Sequence, residues 1–326
     1  MEVFTNIIFL LAGFFMLIKG ADYLIDGASS IAKRFGIPTL VIGLTVVAFG
    51  TSAPEIVVNL VAAIGGNPEI ALGNINGTVI ANTLLILGIG AFISKIPVKS
   101  RTVVKEIPFM ILAALVLLIF TLDQFINGDA QAVLSRIDGI IMILIFGVFL
   151  YYLFLSVKGS PFAKEKTKMR VPKAIGLTLF GLLGLMLGAH LTVDGASGLA
   201  IAAGVSESLV ALTVVALGTS LPELTAAIMA ARKGEMDLAV GSVVGSNIFD
   251  ILLGLGLSAV IAPMVISNST IIDVAIVLAS LTILLIALFI TRRNADDGEH
   301  RVLDRREGII LLSLYVLYIV YVVIRG

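Results

Sequence analysis

Residues 45–55 read TVVAFGTSAPE, and residues 213–223 read TVVALGTSLPE. Each copy sets a glycine, two hydroxyl side chains, a proline and a glutamate inside an apolar run. A carboxylate is costly at bilayer depth, so an ionisable group held there twice points to function rather than packing.

The surrounding composition makes that depth real. The chain has 326 residues, 59% hydrophobic and 13% charged, with a mean hydropathy of +1.11, far from the balance of water-soluble domains. It reads as an all-α polytopic membrane protein whose first partner is the lipid bilayer. The absence of cysteine excludes disulfides, a thiolate nucleophile and Cys-ligated metal. Two histidines, His190 and His300, leave little for imidazole chemistry; His190 reads as packed or interfacial and His300 as a solvated loop residue. The zero net charge gives no sign of a nucleic-acid partner, and no obligatory protein partner is evident. The N-terminus lacks the basic start of a secretory signal and is expected to be retained as a span.

A hydrocarbon core about 30 Å thick needs about 20 apolar residues per helix. That rule predicts ten spans, at 4–31, 38–64, 70–94, 104–122, 137–157, 173–203, 206–231, 237–262, 270–291 and 307–324. The first and sixth are long enough to be strongly tilted. Alternate loops, starting with the first, hold all the basic residues except Lys19, Arg136 and Arg325. Because Lys and Arg favour the cytoplasmic side, both termini are expected outside, in a cell membrane. The short charged linker 158–172 then lies inside, too short to hold a regulatory domain.

Shifting the chain by 168 residues aligns it with itself, without a gap, over 20–95, and about 31 of those 76 positions are identical. Apolar bias does not place shared Asp, Thr, Ser, Pro and Glu at one offset. The chain therefore divides into a five-span half at 1–157, the linker, and a second five-span half at 173–326. Five is odd, so the second half enters the membrane inverted. Inverted repeats put a pseudo-two-fold axis in the membrane plane and a substrate site near the midplane, where the repeats meet.

Pro54 and Pro222 lack an N–H, which strips a helical partner from the Gly50 and Gly218 carbonyls. A break in spans two and seven is therefore expected, with carbonyls around 48–50 and 216–218 turned into the protein. Thr51 and Thr219 precede the glutamates Glu55 and Glu223 by four residues, with Ser52 and Ser220 adjacent. On spans three and eight, Thr78 and Asn82, and Ser246 and Asp250, are each four apart and share a helical face. Gly73 with Gly77, and Gly241 with Gly245, are expected to let those faces approach the broken helices closely. The inventory is all oxygen, which suits hard cations such as Ca²⁺ or Na⁺. Two glutamates can neutralise one Ca²⁺, and an empty site would recruit other cations or protons, which is a physical basis for exchange. Asp26 and Asp194, another repeat-related pair, read as structural or gating residues.

The paired GTSxPE segments, followed by GNxxGT and by GSxxGSNIxD, resemble the alpha repeats of the Ca²⁺/cation antiporters, most closely the prokaryotic Na⁺/Ca²⁺ exchangers. The resemblance implies a ten-helix antiporter with no resident cofactor, carrying Ca²⁺ and Na⁺. It implies ion ligands at Ala48 (carbonyl), Thr51, Ser52, Glu55, Thr78 and Asn82, and at Ala216 (carbonyl), Thr219, Ser220, Glu223, Ser246 and Asp250. Thr78 stands where such repeats often carry serine, and Ser242 where they carry asparagine. Asp250 is shared with both archaeal-type and K⁺-dependent exchangers and leaves potassium coupling open. GNING and GSVVG lack the acid of the Ca²⁺/H⁺ branch, which argues against proton coupling. An intramembrane hydrolase is the competing class: a serine type lacks a base, since neither histidine lies in the duplicated core, and an aspartyl type gives the duplicated hydroxyls no task. A passive cation channel would differ in needing no counter-ion.

Overall fold

The structure, a computed structural model, describes residues 2–123, 132–158, 167, 169–205, 216–290 and 300–325. Among these, nine helices are long and apolar enough to cross a membrane: α1 (Glu2–Phe35), α2 (Thr39–Ile64), α3 (Pro68–Ile93), α4 (Ser100–Thr121), α5 (Arg136–Lys158), α6 (Val171–Ala202), α8 (Met236–Ile261), α9 (Asn268–Ile290) and α10 (Arg305–Arg325). Between α6 and α8 lies α7, the short piece Ala216–Gly218 followed by Leu221–Arg232. The start of the span expected at 206–231 and most of the linker lie outside the described residues. Large side chains such as Phe4, Phe15, Leu144, Phe180 and Ile324 are exposed along these helices, as lipid-facing surface requires.

Four short strands were not foreseen. β1 (Ile96–Lys99) pairs antiparallel with β4 (His300–Leu303), and β2 (Ala132–Leu134) with β3 (Met264–Ile266). They sit in loops, where polar Ser and Lys interrupt the apolar runs and no helix satisfies the backbone. Hydrogen-bonded strands lie on one face of the membrane, so an even number of crossings separates each pair. From β1 to β4 that number is six: α4, α5, α6, α8 and α9, and the crossing that includes α7. The same count makes four crossings from β2 to β3, in agreement with ten spans.

The chain forms two compact units, Met1–Thr51 with Ser160–Ser242 and Val316–Gly326, and Ser52–Gly159 with Val243–Tyr315. In the first, α1 and α6 run antiparallel along a seam of glycines seven residues apart. A Cβ on Gly13 would come within 2.6 Å of the Thr192 nitrogen, one on Gly20 within 2.7 Å of the Leu185 nitrogen, and one on Gly27 within 2.6 Å of the Ala174 oxygen. Gly181, Gly188 and Gly195 face α1 in the same way. Two turns of helix separate successive glycines, so all fall on one stripe and the backbones touch. Leu17, Ala21, Leu24, Ile25 and Leu185 pack beside the stripe, continuous with Ile42, Val47, Ala226 and Leu238.

In the second unit, α5 crosses α8 where a Cβ on Gly139 would sit 2.6 Å from the Gly256 oxygen, and α10 crosses α3 where one on Gly308 would sit 2.9 Å from the Gly88 oxygen. Gly88 and Gly256 are repeat mates, so the inverted repeat reuses one crossing twice. Phe146 meets Phe249 edge-on, with centroids 4.7 Å apart, and closes the α5–α8 contact.

Candidate cation site

The two proline segments differ. In α2 the expected break does not occur: Ala48–Ile64 is continuous helix with Pro54 inside it. The deviation lies one turn earlier, in a π-helical stretch at Gly43–Val47. A wide turn is one way a helix accommodates an internal proline without breaking, and the missing side chain of Gly50 makes room for Leu182. In α7 the break does occur. Thr219 and Ser220 form a turn, and a new helix starts at Leu221 with Pro222 in its first turn; proline pre-sets φ for a helix start.

In the first unit this start places Glu223 in the first turn of Leu221–Arg232, where unpaired N–H groups and the helix dipole favour a carboxylate. Glu223 is 1% exposed. Neither of its oxygens meets a hydrogen bond of good geometry among the described residues, although Thr51 lies beside them. The Thr51 hydroxyl is 3.2 Å from both the Val47 and Ala48 carbonyl oxygens, so the residue beside Glu223 also touches the Ala48 carbonyl expected to be a ligand. Ser220 is buried with its Oγ unpaired among the described residues. Thr219 is half-buried, and Ala216 is placed as backbone at the start of α7.

In the second unit, Ser52, Glu55, Thr78, Asn82, Ser246 and Asp250 are all buried. α3 and α8 each widen into a π-helical stretch on the polar residue, at Ala81–Ile86 around Asn82 and at Phe249–Leu255 around Asp250. The two begin at repeat-equivalent positions. Single π turns inside α-helices concentrate at functional sites, because they re-aim a side chain and loosen the carbonyl ladder. A Cβ on Gly254 would lie 3.3 Å from Ile75 Cδ1 and 3.6 Å from Ile56 Cγ1, so α8 touches α3 and the residue after Glu55.

Of the glycines expected to bring these faces together, Gly241 does so: its Cβ would fall 2.7 Å from the Leu40 oxygen. Gly73 and Gly77 would meet nothing within 4 Å; Gly73 is exposed, so the spacing there lacks the approach that would give it meaning.

Several buried or half-buried amides stand outside the sequence candidates. Asn74 Nδ2 donates to Asn59 Oδ1 at 2.9 Å, Asn76 is buried with both side-chain ends unpaired among the described residues, and Asn82 Nδ2 donates to Asn247 Oδ1 at 3.0 Å. The signal for Asn247 was present, an amide in the apolar run GSNIFD, but it lacks a counterpart in the first repeat. Among the described residues no three His, Asp or Glu side chains gather as in a resident metal centre; most of the available donors are neutral oxygens.

Comparison matches residues 5–155 and 173–324 to the family described as sodium/calcium exchanger protein, leaving out the linker. The chain belongs to that family. The putative antiporter CaxA of Alkalimonas amylolytica is 37% identical over 95% of this chain and 96% of its own length. The sodium/calcium exchanger MaX1 of Methanosarcina acetivorans is 27% identical over 97% and 98%. A solved structure of the sodium-calcium exchanger NCX_Mj, soaked with Na⁺ and Sr²⁺, superposes with a TM-score of 0.81 at 32% identity, covering 98% of both chains. The chain is thus a polytopic membrane transporter-family protein, not an enzyme.

Proposed function

We propose that the chain is a secondary antiporter exchanging Ca²⁺ for Na⁺ across the cell membrane by alternating access, with both termini outside. Ions bind near the midplane, where the sequence repeats meet, on the carbonyls of Ala48 and Ala216 and the side chains of Thr51, Ser52, Glu55, Thr78, Asn82, Thr219, Ser220, Glu223, Ser246 and Asp250. The observation that carries this reading is the duplicated buried glutamate, each copy directly after a proline in its helix, with a π turn on the following span at Asn82 or Asp250. Carboxylates with flexible neutral oxygens suit a cation that takes six to eight oxygen ligands and must leave again. The name of MaX1 as a sodium/calcium exchanger, and the soaking of the sodium-calcium exchanger NCX_Mj with Na⁺ and with Sr²⁺, a larger ion of the same group as Ca²⁺, support the choice of Ca²⁺ and Na⁺. Spans two, three, seven and eight act as the fixed part, past which α1 and α6 move as a pair. Their glycine seam supports this, because interlocked backbones separate less readily than lipid-facing side chains.

The decisive measurement is Ca²⁺ uptake into sealed vesicles holding the purified protein. Uptake driven by an outward Na⁺ gradient is expected; flux indifferent to counter-ion would make the protein a channel, and no flux would overturn the reading. K⁺-dependent exchange is the second reading, favoured by the acid at Asp250, and the same vesicles decide it when K⁺ is withheld.

A further inference from the structure

Asn82 has a chemical problem that a carboxylate does not. A primary amide presents an acceptor at one end and two donors at the other, and only the acceptor end attracts a cation. Asp250, its repeat mate, has two equivalent oxygens and needs no such choice.

The surroundings of Asn82 make the choice for it. The Thr83 hydroxyl donates to the Val79 carbonyl at 2.7 Å, an atom that can only accept, so its proton is committed. Thr83 Oγ1 is left as an acceptor, and Asn247 Nδ2 donates to it at 3.1 Å. The same nitrogen points to the Met110 sulfur at 3.4 Å, a second atom with no proton to give. Both contacts oppose a flipped Asn247, whose oxygen would face two lone-pair atoms. Asn247 Oδ1 must therefore be the end that receives Asn82 Nδ2, at 3.0 Å. That leaves Asn82 Oδ1, fully buried and with no partner among the described residues. Amide orientations are read from networks of this kind, and here each link allows one answer.

The relay is not duplicated. The residues 168 positions away from Asn247, Thr83 and Met110 are Val79, Ile251 and Leu278, none with a side chain that can give or accept a hydrogen bond. It accompanies the amide and is missing beside the acid, as a device for choosing an amide's end would be.

We infer that Asn247, with Thr83 behind it, is a positioning residue that holds the Asn82 carbonyl oxygen toward the bound cation. The inference rests on the proposed reading of Asn82 as a ligand. Groups that orient a metal ligand typically carry about 10- to 100-fold in affinity. The test is calorimetric Ca²⁺ binding to the purified full chain. Asn247→Ala should weaken binding about tenfold or more, and so should Asn82→Ala. The double variant should be no weaker than Asn82→Ala alone, because the relay acts only through that side chain. Thr83→Val, nearly the same shape, should weaken binding severalfold, whereas Thr83→Ser, which keeps the hydroxyl, should not. Additive losses in the double variant would show Asn247 acting elsewhere and overturn the inference, as would wild-type affinity in Asn247→Ala. If Asn247→Ala does not fold, the Thr83 pair decides: equal affinity in Val and Ser variants overturns it. A wild-type chain that binds no Ca²⁺ would instead bring down the reading of the site itself, and the inference with it.

Discussion

The Lys33 ammonium lies 2.6 Å from Glu235 Oε1, joining positions 202 residues apart in the chain. Ser29 donates to the same oxygen at 2.6 Å. Beside them Lys233 reaches Asp22 Oδ1 and Asp26 Oδ1, each at 2.6 Å. The repeat mates of Lys33, Lys233 and Glu235 are Ile201, Gly65 and Asn67, so this clamp exists on one side only. Asp194, mate of Asp26, has His190 Nε2 3.4 Å away on its own helix.

The pH range of the clamp follows from its groups. Burial works against the Glu235 carboxylate, but Lys33 and Ser29 outweigh it and hold its pKa below the ordinary value. Its stabilisation is present above the unfolded value of about 4.3 and is lost as pH falls through the depressed one. Burial likewise disfavours the Lys233 cation, yet the bonds to Asp22 and Asp26 win and raise its pKa. That stabilisation is present below about 10.4 and is lost as pH rises through the raised value. Glu235→Gln should therefore lower thermal stability by a similar amount from pH 6 to 9, about 0.5–1 kcal/mol at low salt and less at high salt. A loss that grows steadily across that interval would contradict the assignment.

Glu55→Gln and Glu223→Gln should each cut Na⁺-driven Ca²⁺ uptake by about 100-fold or more. Removing one charge that faces a buried ion typically costs about 3–5 kcal/mol. Both variants should remain monodisperse, since the amide is close in shape. Normal transport in either would remove that residue from the site.

The glycine seam is testable by a single methyl. Gly20→Ala should destabilise the protein by about 1–3 kcal/mol, because its Cβ would fall on α6 backbone. Gly176→Ala on α6, where a Cβ meets nothing within 4 Å, should be neutral or slightly stabilising. Melting curves that do not separate the two would show that the helices are not locked by that stripe.

The chain has no cysteine, which makes its topology directly measurable. Single cysteines at Lys99 and Arg301, one on each strand of the β1–β4 ribbon, should react with an impermeant maleimide from one side of the membrane. Those at Val133 and Val265, paired in β2–β3, should react from the other. Any pair split between sides would refute the crossing count.

Much of the architecture was legible because bilayer physics is strict. Length, hydropathy and the sorting of Lys and Arg count spans with little help from packing, and the repeat at a constant offset yields the inversion. Pro54 shows where such reading stops. Its missing N–H is certain from sequence, but whether the helix breaks or widens depends on neighbours, and here it widens at Gly43–Val47 while the equivalent Pro222 follows a true break. The π turns at Asn82 and Asp250 have no residue signature at all; the side chains that they re-aim are visible in sequence, the turns are not. Asn247 was passed over because reading by repeat finds what is duplicated, and its role answers an asymmetry.

The strands carry a consequence for how such a chain is put together. Within one half, the strand before the fourth helix and the strand after it lie on opposite membrane faces, so they can never meet. Each finds its partner only in the other half, β1 with β4 and β2 with β3. A half-length chain of this kind could close these ribbons only by assembling with a second copy of itself inserted upside down, and carrying both copies in one chain makes that upside-down partner permanent.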